Sequence, residues 1–182
     1  TSILLGLSSV EHARDLDSAR EAASSLRELV VTTLQDVRQL SVELRPKALD
    51  DFGLDPALRR LGQSVRETSG VDVQVESLIG HVRLPADVET AVYRIVQEAL
   101  ANVLRHAAAE RVSIVATRRD GRISLVIEDD GQGFPVDRPF EGMGLAGMRE
   151  RVSLLDGAIE IDSIVGEGTT IAVELPLRGA GA

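Results

Sequence analysis

Between Glu98 and Thr170 the chain carries four short motifs in a fixed order, and these constrain its fold more than any other feature. The first, Glu98-Ala-Leu-Ala-Asn102, lies on a stretch whose apolar residues Val88, Val92, Ile95, Val96, Ala99, Leu100 and Val103 recur at helical spacing. Three glycine turns follow: Asp129-Asp130-Gly131-Gln132-Gly133, then Gly142-Met143-Gly144-Leu145, then Gly166-Glu167-Gly168-Thr169-Thr170. Glu98 and Asn102 are four residues apart, so they share one helix face, one turn from each other. A helix presenting an acid and an amide, followed by three turns that let backbone approach a ligand closely, points to a pocket for a nucleotide and its metal ion. Each motif alone is common; the ordered set carries the reading.

The rest of the chain supplies a frame for such a pocket. Ser18 and Glu21 form a Ser-x-x-Glu capping box ahead of a long run free of glycine and proline. From there Ala19, Ala23, Leu26, Val30, Thr33, Val37, Leu40 and Leu44 alternate in steps of four and three, a helix-packing seam of roughly four heptads. With the shorter apolar stretch Ile3, Leu7 and Val10 before it, this predicts a helical hairpin, and a hairpin covers its seam by dimerising into a four-helix bundle. The competing reading packs the seam on the chain's own second domain.

Pro46 ends the long helix. Asp55-Pro56 predicts the start of another helix and Gly70 its stop. Val71, Val73 and Val75 alternate as in a strand, and Pro85 to His106 reads as the next helix. Arg111–Thr117 and Arg122–Glu128 read as strands joined by the hairpin turn Asp120-Gly121. Leu145–Leu155 reads as a helix, and Ile159–Ser163 with Thr170–Leu175 as a closing strand pair. The expectation is an α+β fold: dimerisation helices over 1–46, then an α/β sandwich over 47–178 with helices on one face of the sheet.

The motif residues suit particular chemistry. Asn102 offers a neutral oxygen to Mg²⁺, a hard cation that keeps several waters and leans on substrate phosphates. Arg105 and His106 follow one turn later, where a cation meets phosphate oxygens. Asp129 ends a strand, and a carboxylate there can accept a hydrogen bond from an exocyclic amine, selecting adenine over guanine. Gly131 and Gly133 let backbone approach a flat base. Gly142, Gly144 and Leu145 open a helix whose free N–H groups can face phosphates. In the third turn a hydroxyl from Thr169 or Thr170, beside Gly168, can support base recognition, and the sequence leaves open which of the two does so. The Walker P-loop spacing is absent.

Composition narrows the partners. With 20 basic and 29 acidic residues the formal net charge is -9, which argues against a phosphate-backbone binder and so against nucleic acid. There is no cysteine, so neither a disulfide nor a thiolate metal site is available. No apolar run approaches the length of a membrane span, and a cytoplasmic place, with membrane attachment only through regions outside this chain, is what the resemblance below implies.

These same residues resemble the N box and glycine boxes of the GHKL ATPase superfamily, which has the Bergerat fold and includes sensor histidine kinases. With Leu44-Arg45-Pro46-Lys47-Ala48-Leu49-Asp50-Asp51-Phe52-Gly53-Leu54 between its two parts, the chain is similar to the short-lid subclass of bacterial sensor histidine kinases. The resemblance implies ATP and Mg²⁺ as ligands, Asn102 as metal holder, Glu98 as the acid that orients or deprotonates the attacking group, and Asp129 as adenine reader. Many relatives have lysine where Arg105 stands. Phe134–Glu141 corresponds to the ATP lid. The resemblance further implies a homodimer through the N-terminal helices, and phosphoryl transfer to a histidine for relay to a response regulator receiver domain.

That subclass carries its phosphoacceptor in a Leu-His-Asp context. His12 stands in Glu11-His12-Ala13-Arg14 with no following aspartate, and His81 has no motif around it. The chain is therefore expected to bind ATP without phosphorylating itself, as a fragment beginning past the phosphoacceptor. Two alternatives share the motifs, a GHKL serine kinase of the anti-sigma type and a nucleotide-free signalling dimer. The long helix disfavours the first; intact Asn102, Asp129 and glycine boxes disfavour the second. A DNA-linked GHKL ATPase is disfavoured by the charge.

Overall fold

A computed structural model describes residues 47–80, 83–135 and 143–177, together with 7, 8, 10, 15, 18–20, 22–27 and 30. The chain divides into two compact units, Thr1–Arg45 and Pro46–Ala182. In the first unit positions 18–20 and 22–27 are helical. The Asp15 carboxylate accepts the Ser18 N–H at 2.7 Å, the bond of an N-cap three residues ahead of the Ser18–Glu21 box. Ala19, Ala22, Leu26 and Val30 are partly buried whereas Ala23 is exposed. The seam from Thr33 to Leu44 and the expected hairpin turn lie outside the described residues, as do His12 and His81.

The second unit is a five-stranded sheet with helices against it. The strands are β1 (Asp72–Leu78), β2 (Arg111–Arg119), β3 (Arg122–Asp129), β4 (Ala158–Ile164) and β5 (Gly168–Pro176), in spatial order β1-β2-β3-β5-β4. β1 and β2 pair in parallel and the remaining neighbours antiparallel. Parallel pairing needs a long crossover, and the segment between these strands supplies it as the helix Ala86–Asn102. Asp120 and Gly121 both take positive φ, 51° and 72°, as a tight hairpin of right-handed twist requires.

Alternation decides which face is covered. Val112, Ile114 and Ala116 on β2, Ile123, Leu125 and Ile127 on β3, and Ile171, Val173 and Leu175 on β5 are all buried. Against them lie Val88, Val92, Ile95, Val96 and Ala99, the helical stripe read from the sequence.

We number the helices α1 (Lys47–Phe52), α2 (Leu54–Ser69), α3 (Ala86–Asn102) and α4 (Met143–Leu154). α2 begins at Leu54, one residue before Asp55-Pro56; Asp55 falls in the first turn and pairs with Arg59 at 3.0 Å. It ends as expected at Gly70, in the left-handed conformation at φ 78°. α1, within the Leu44–Leu54 segment that the sequence places between the two parts, is a short helix with Leu49 fully buried. The helix expected over Pro85–His106 is α-helical only to Asn102 and closes with a π-helical turn over Val103–Ala107.

α1 is fastened by a charged side chain from far along the sequence. Arg83 Nη1 donates to the Leu49 carbonyl at 2.6 Å, and Nη2 donates to that of Asp50 at 3.1 Å. Nη1 also lies 3.8 Å from Glu89 Oε2. Glu89 is 1% exposed, the only buried charged residue among those described, and its Oε1 accepts the Leu84 N–H at 3.2 Å. A charge is buried stably only when paired and hydrogen-bonded, and Glu89 has both. The pair ties α1 to the first turn of α3. No helix among the described residues is long and apolar enough to cross a membrane.

Candidate functional site

A cavity of about 230 Å³ opens where the end of α3 meets the ends of β3 and β5. Its walls are apolar: Ala99, Val103 and Ala107 from the helix and its π-turn, Ile127 and Ile171 from the sheet, Leu145 from α4, and Phe134. Asn102, His106, Asp129, Gln132 and Thr169 bring polar atoms to it. A mostly apolar hollow with a few convergent polar groups is the usual make-up of a small-molecule site.

Asp129 is the most tightly prepared of these. Its Oδ1 accepts the Gly131 N–H at 2.9 Å. Thr169, its register partner on β5, also bonds to it through both backbone and hydroxyl. Burial pushes the carboxyl above its ordinary value and the neighbouring Asp130 charge adds to this, while the bonds from Gly131 and Thr169 pull the other way. Asp130 points elsewhere. It accepts the N–H groups of Glu110 and Arg111, each at 2.9 Å, and pairs with Arg111 Nε at 3.0 Å. The Arg111 N–H bond is the first of the causes holding its carboxyl below the usual value.

The glycines are demanded by contact. At Gly168, with φ 100°, a Cβ would overlap the Asp129 carbonyl and come within 3.2 Å of Asp130 Cα. At Gly133, with φ 57°, it would strike the Ile164 carbonyl and lie 2.8 Å from that of Gly168. The first and third glycine turns are thus pressed together, backbone on backbone. Gly131 packs on the Ala107 carbonyl, 2.5 Å from where a Cβ would stand.

Strand alternation separates the two threonines. Thr169 and Ile171 line the cavity, so Thr170 between them faces the other side of the sheet and does not. Arg105 is exposed on the π-turn and is not among the lining residues, whereas His106 beside it is. Glu98 also lies off the cavity wall. It sits between α3 and α4, its carboxylate filling the space a side chain at Gly144 would need. Around it are Arg94, whose Nη1 donates to Gln97 Oε1 at 2.8 Å, and Arg151, whose pKa burial lowers and the Arg94 charge lowers further, against the raising influence of Glu98. Leu145 is buried at the cavity edge. Gly142 and the lid segment from Val136 lie outside the described residues.

Two polar residues had no signal in the sequence. Ser163, on β4 opposite Thr169, lies 3.0 Å from the Thr169 hydroxyl; its Oγ donates to the Gly168 carbonyl at 3.0 Å and accepts the Phe134 N–H at 2.9 Å. Gln132 bonds to both the π-turn and the β4–β5 turn. Both act through contacts between segments distant in sequence. No cluster of three or more histidine, aspartate or glutamate side chains able to hold a metal exists among the described residues. Among the described residues lining the cavity, Asn102 and Gln132 are the two with a side-chain carboxamide oxygen.

Residues 87–179 match the family model of histidine kinase-, DNA gyrase B- and HSP90-like ATPases. The chain belongs to this family. Among curated relatives, the signal transduction histidine-protein kinase/phosphatase DegS of Brevibacillus brevis is 36% identical over 169 residues, 92% of this chain and 44% of that protein. The oxygen sensor histidine kinase NreB of Staphylococcus carnosus (strain TM300) is 35% identical over 170 residues, 92% of this chain and 49% of that protein. The chain thus spans about half the length of the curated relatives it matches. The histidine kinase domain of the Erythrobacter litoralis EL346 blue-light activated histidine kinase superposes with a TM-score of 0.62, covering 97% of this chain and 95% of that one. At 20% identity that likeness speaks to the fold alone. In this ATPase family the α+β frame with its five-stranded sheet is the expected scaffold, and the cavity lies inside the matched segment.

Proposed function

We propose that this chain is the catalytic ATP-binding portion of a two-component sensor histidine kinase, comprising dimerisation helices over 1–46 and a nucleotide-binding domain over 47–178. The observation that carries the reading is Asp129, a partly buried carboxylate aimed into an apolar cavity and oriented by the Gly131 N–H and Thr169. With its acceptor lone pairs presented to the hollow, it takes the exocyclic amine of adenine, while Ile127, Ile171 and Val103 flank the ring. Guanine offers a carbonyl oxygen at that place, which a carboxylate repels.

From the base, the nucleotide runs toward Asn102, His106 and the start of α4. Asn102 fits a Mg²⁺ ion of the kind that leans on substrate phosphates and few protein ligands. When bound, that ion neutralises charge on the phosphate oxygens. Glu98, one turn from Asn102 and held against Gly144, accepts the proton or orients the group that attacks the γ-phosphorus. Arg105, exposed at the π-turn, offers its charge to phosphate from outside the cavity. The acceptor is a histidine of the dimerisation helix other than His12 and absent from this sequence, the phosphoryl group passes on to a response regulator receiver domain, and the first unit joins two copies.

Thermal unfolding followed by far-UV circular dichroism tests the pocket, because the chain has no tryptophan and a single tyrosine. A ligand at 100 times its dissociation constant stabilises the folded state by about 2.7 kcal/mol. ADP with Mg²⁺ is expected to raise the midpoint in the parent, GDP to do so far less, and Asp129→Ala to lose the adenine response. Equal shifts with ADP and GDP, or none with either, would overturn the assignment.

A further inference from the structure

Gln132 stands between the two glycines of the Asp129–Gly133 turn. Its side chain is committed: Nε2 donates to the His106 carbonyl at 2.5 Å. Its own N–H donates to the Ala107 carbonyl at 2.7 Å, and its carbonyl accepts the Gly166 N–H at 2.8 Å. One residue therefore joins the end of α3 to both the first and third glycine turns.

The end of α3 needs such a partner. A helix leaves its last carbonyls without intrahelical donors, and here the helix stops abruptly at Ala108, in the left-handed conformation at φ 51°. The turn before it is π-helical, a register that is rare and persists where surrounding contacts enforce it. Side-chain packing holds only its two ends, Val103 buried and Ala107 partly buried against the core, while Leu104, Arg105 and His106 between them are exposed. The carbonyls of His106 and Ala107 are held from outside instead, by Gln132. Asn102 immediately precedes this turn and His106 belongs to it, and both line the cavity.

We infer that Gln132 is a positioning residue: by capping the π-helical turn it fixes how Asn102 and His106 face the cavity, and so sets affinity for the metal–phosphate part of the nucleotide. The base part is independent of it, since the bonds orienting Asp129 come from the Gly131 N–H and Thr169 and not from the Gln132 amide. This inference rests on the nucleotide reading above and adds to it a division of the site into two separately held halves.

The test compares the parent with Gln132→Met, which keeps the length and loses the donor, and Gln132→Glu, which sets a carboxylate against the His106 carbonyl. Both keep the main-chain bond to Ala107, so the loop retains its anchor. Mg-ADP affinity is measured by displacement of a fluorescent ADP analogue, and adenosine affinity by the same displacement. Losing one hydrogen bond of ordinary net strength corresponds to roughly a five- to ten-fold weakening. That weakening is expected for Mg-ADP in both variants, with adenosine changed less than about two-fold. Unchanged Mg-ADP affinity in both variants would overturn the inference. So would a parallel loss for adenosine and Mg-ADP, which is what general loosening of the domain produces. Failure of the parent itself to bind Mg-ADP would instead remove the nucleotide reading.

Discussion

Arg83→Ala is expected to be among the most damaging substitutions of a half-exposed side chain in this protein. The arginine side chain is 54% exposed, yet it satisfies two carbonyls of α1 and stands beside a carboxylate that is 2% exposed. The 2.6 Å bond to Leu49 is charge-assisted and part-buried, which places it near the lower end of the range for charged donors, about 1.5 kcal/mol. The exposed bond to Asp50 adds roughly 0.5 kcal/mol. At 3.8 Å and with one partner wet, the ion pair falls well short of the 3–5 kcal/mol lost on breaking a fully buried one, and contributes about 1 kcal/mol. The sum is about 3 kcal/mol, or roughly 6–12 °C in midpoint for a domain of this size. Glu89→Gln retains an acceptor for the Leu84 N–H and is expected to cost about half as much. Urea unfolding by circular dichroism measures both, and hydrogen exchange locates the effect. Amides of α1 should lose protection in Arg83→Ala while those of β2 and β3 open only with the whole domain. A cost below about 1 kcal/mol, or no local change in exchange, would show that water replaces the guanidinium and that α1 is held by Leu49 alone.

Two further outcomes follow from the site and one from the sequence around His12. Gly168→Ala combines a left-handed φ with overlap on the Asp129 carbonyl, and is expected to cost about 3–5 kcal/mol and to abolish nucleotide binding. Gly166→Ala, at φ 88° with open space around it, is expected to cost only about 1 kcal/mol; equal costs in chemical denaturation would refute the contact argument. Asp129 titrates with a raised folded-state pKa, so the folded state holds this proton more tightly than the unfolded chain and the group subtracts stability as pH rises from its ordinary value, 3.8, through the folded value. The stability of the parent minus that of Asp129→Asn should accordingly fall as pH rises out of the acid range, and a flat or rising difference in urea titrations would contradict it. Finally, incubation of the chain with labelled ATP is expected to leave no acid-labile phosphate on His12, which phosphopeptide mapping checks.

What the sequence made legible is what local pattern encodes. The stripe from Val88 to Val103 marked the central helix, alternation marked β2, β3 and β5, and Asp120-Gly121 marked their hairpin. The proximity of the glycine turns came from their order rather than from any pairing rule, and the structure shows the reason for it, since Gly168 and Gly133 are where two backbones touch. Other features had no local signature. α1 lies unmarked in the Leu44–Leu54 segment because its fastening residue is 34 positions away, and Asp55-Pro56 looked like a helix start because Gly53 gives no side-chain cap to betray the true one. Thr169 and Thr170 are chemically alike, and only the register of β5 against β3 assigns one to the cavity. The π-turn was invisible for the same reason: Val103–Ala107 is an unremarkable helical sequence whose register is set by carbonyl partners on another loop.

The two halves of the cavity are therefore built from material of different strength. The base half stands on β3 and β5, adjacent central strands whose register runs unbroken from Arg122 to Asp129, with Gly168 locked on the last carbonyl and Ser163 bracing Thr169 from β4. Opening it requires breaking the sheet, which in a cooperative domain costs the global unfolding free energy. The phosphate half stands on a single π-turn with three exposed side chains, capped by one amide, and on α4. α4 is anchored in the core by Leu145, Met148 and Val152, so the weaker element is the turn itself, which buries Val103 and part of Ala107 and whose opening lies lower on the same scale. On the proposed nucleotide reading, specificity comes from the first half, where Asp129 is already in place, and phosphate affinity comes from the second. On this division, substitutions around Asp129 change which base is accepted, while substitutions around Gln132 and the π-turn change how strongly Mg²⁺ and phosphate add to a base that is already chosen.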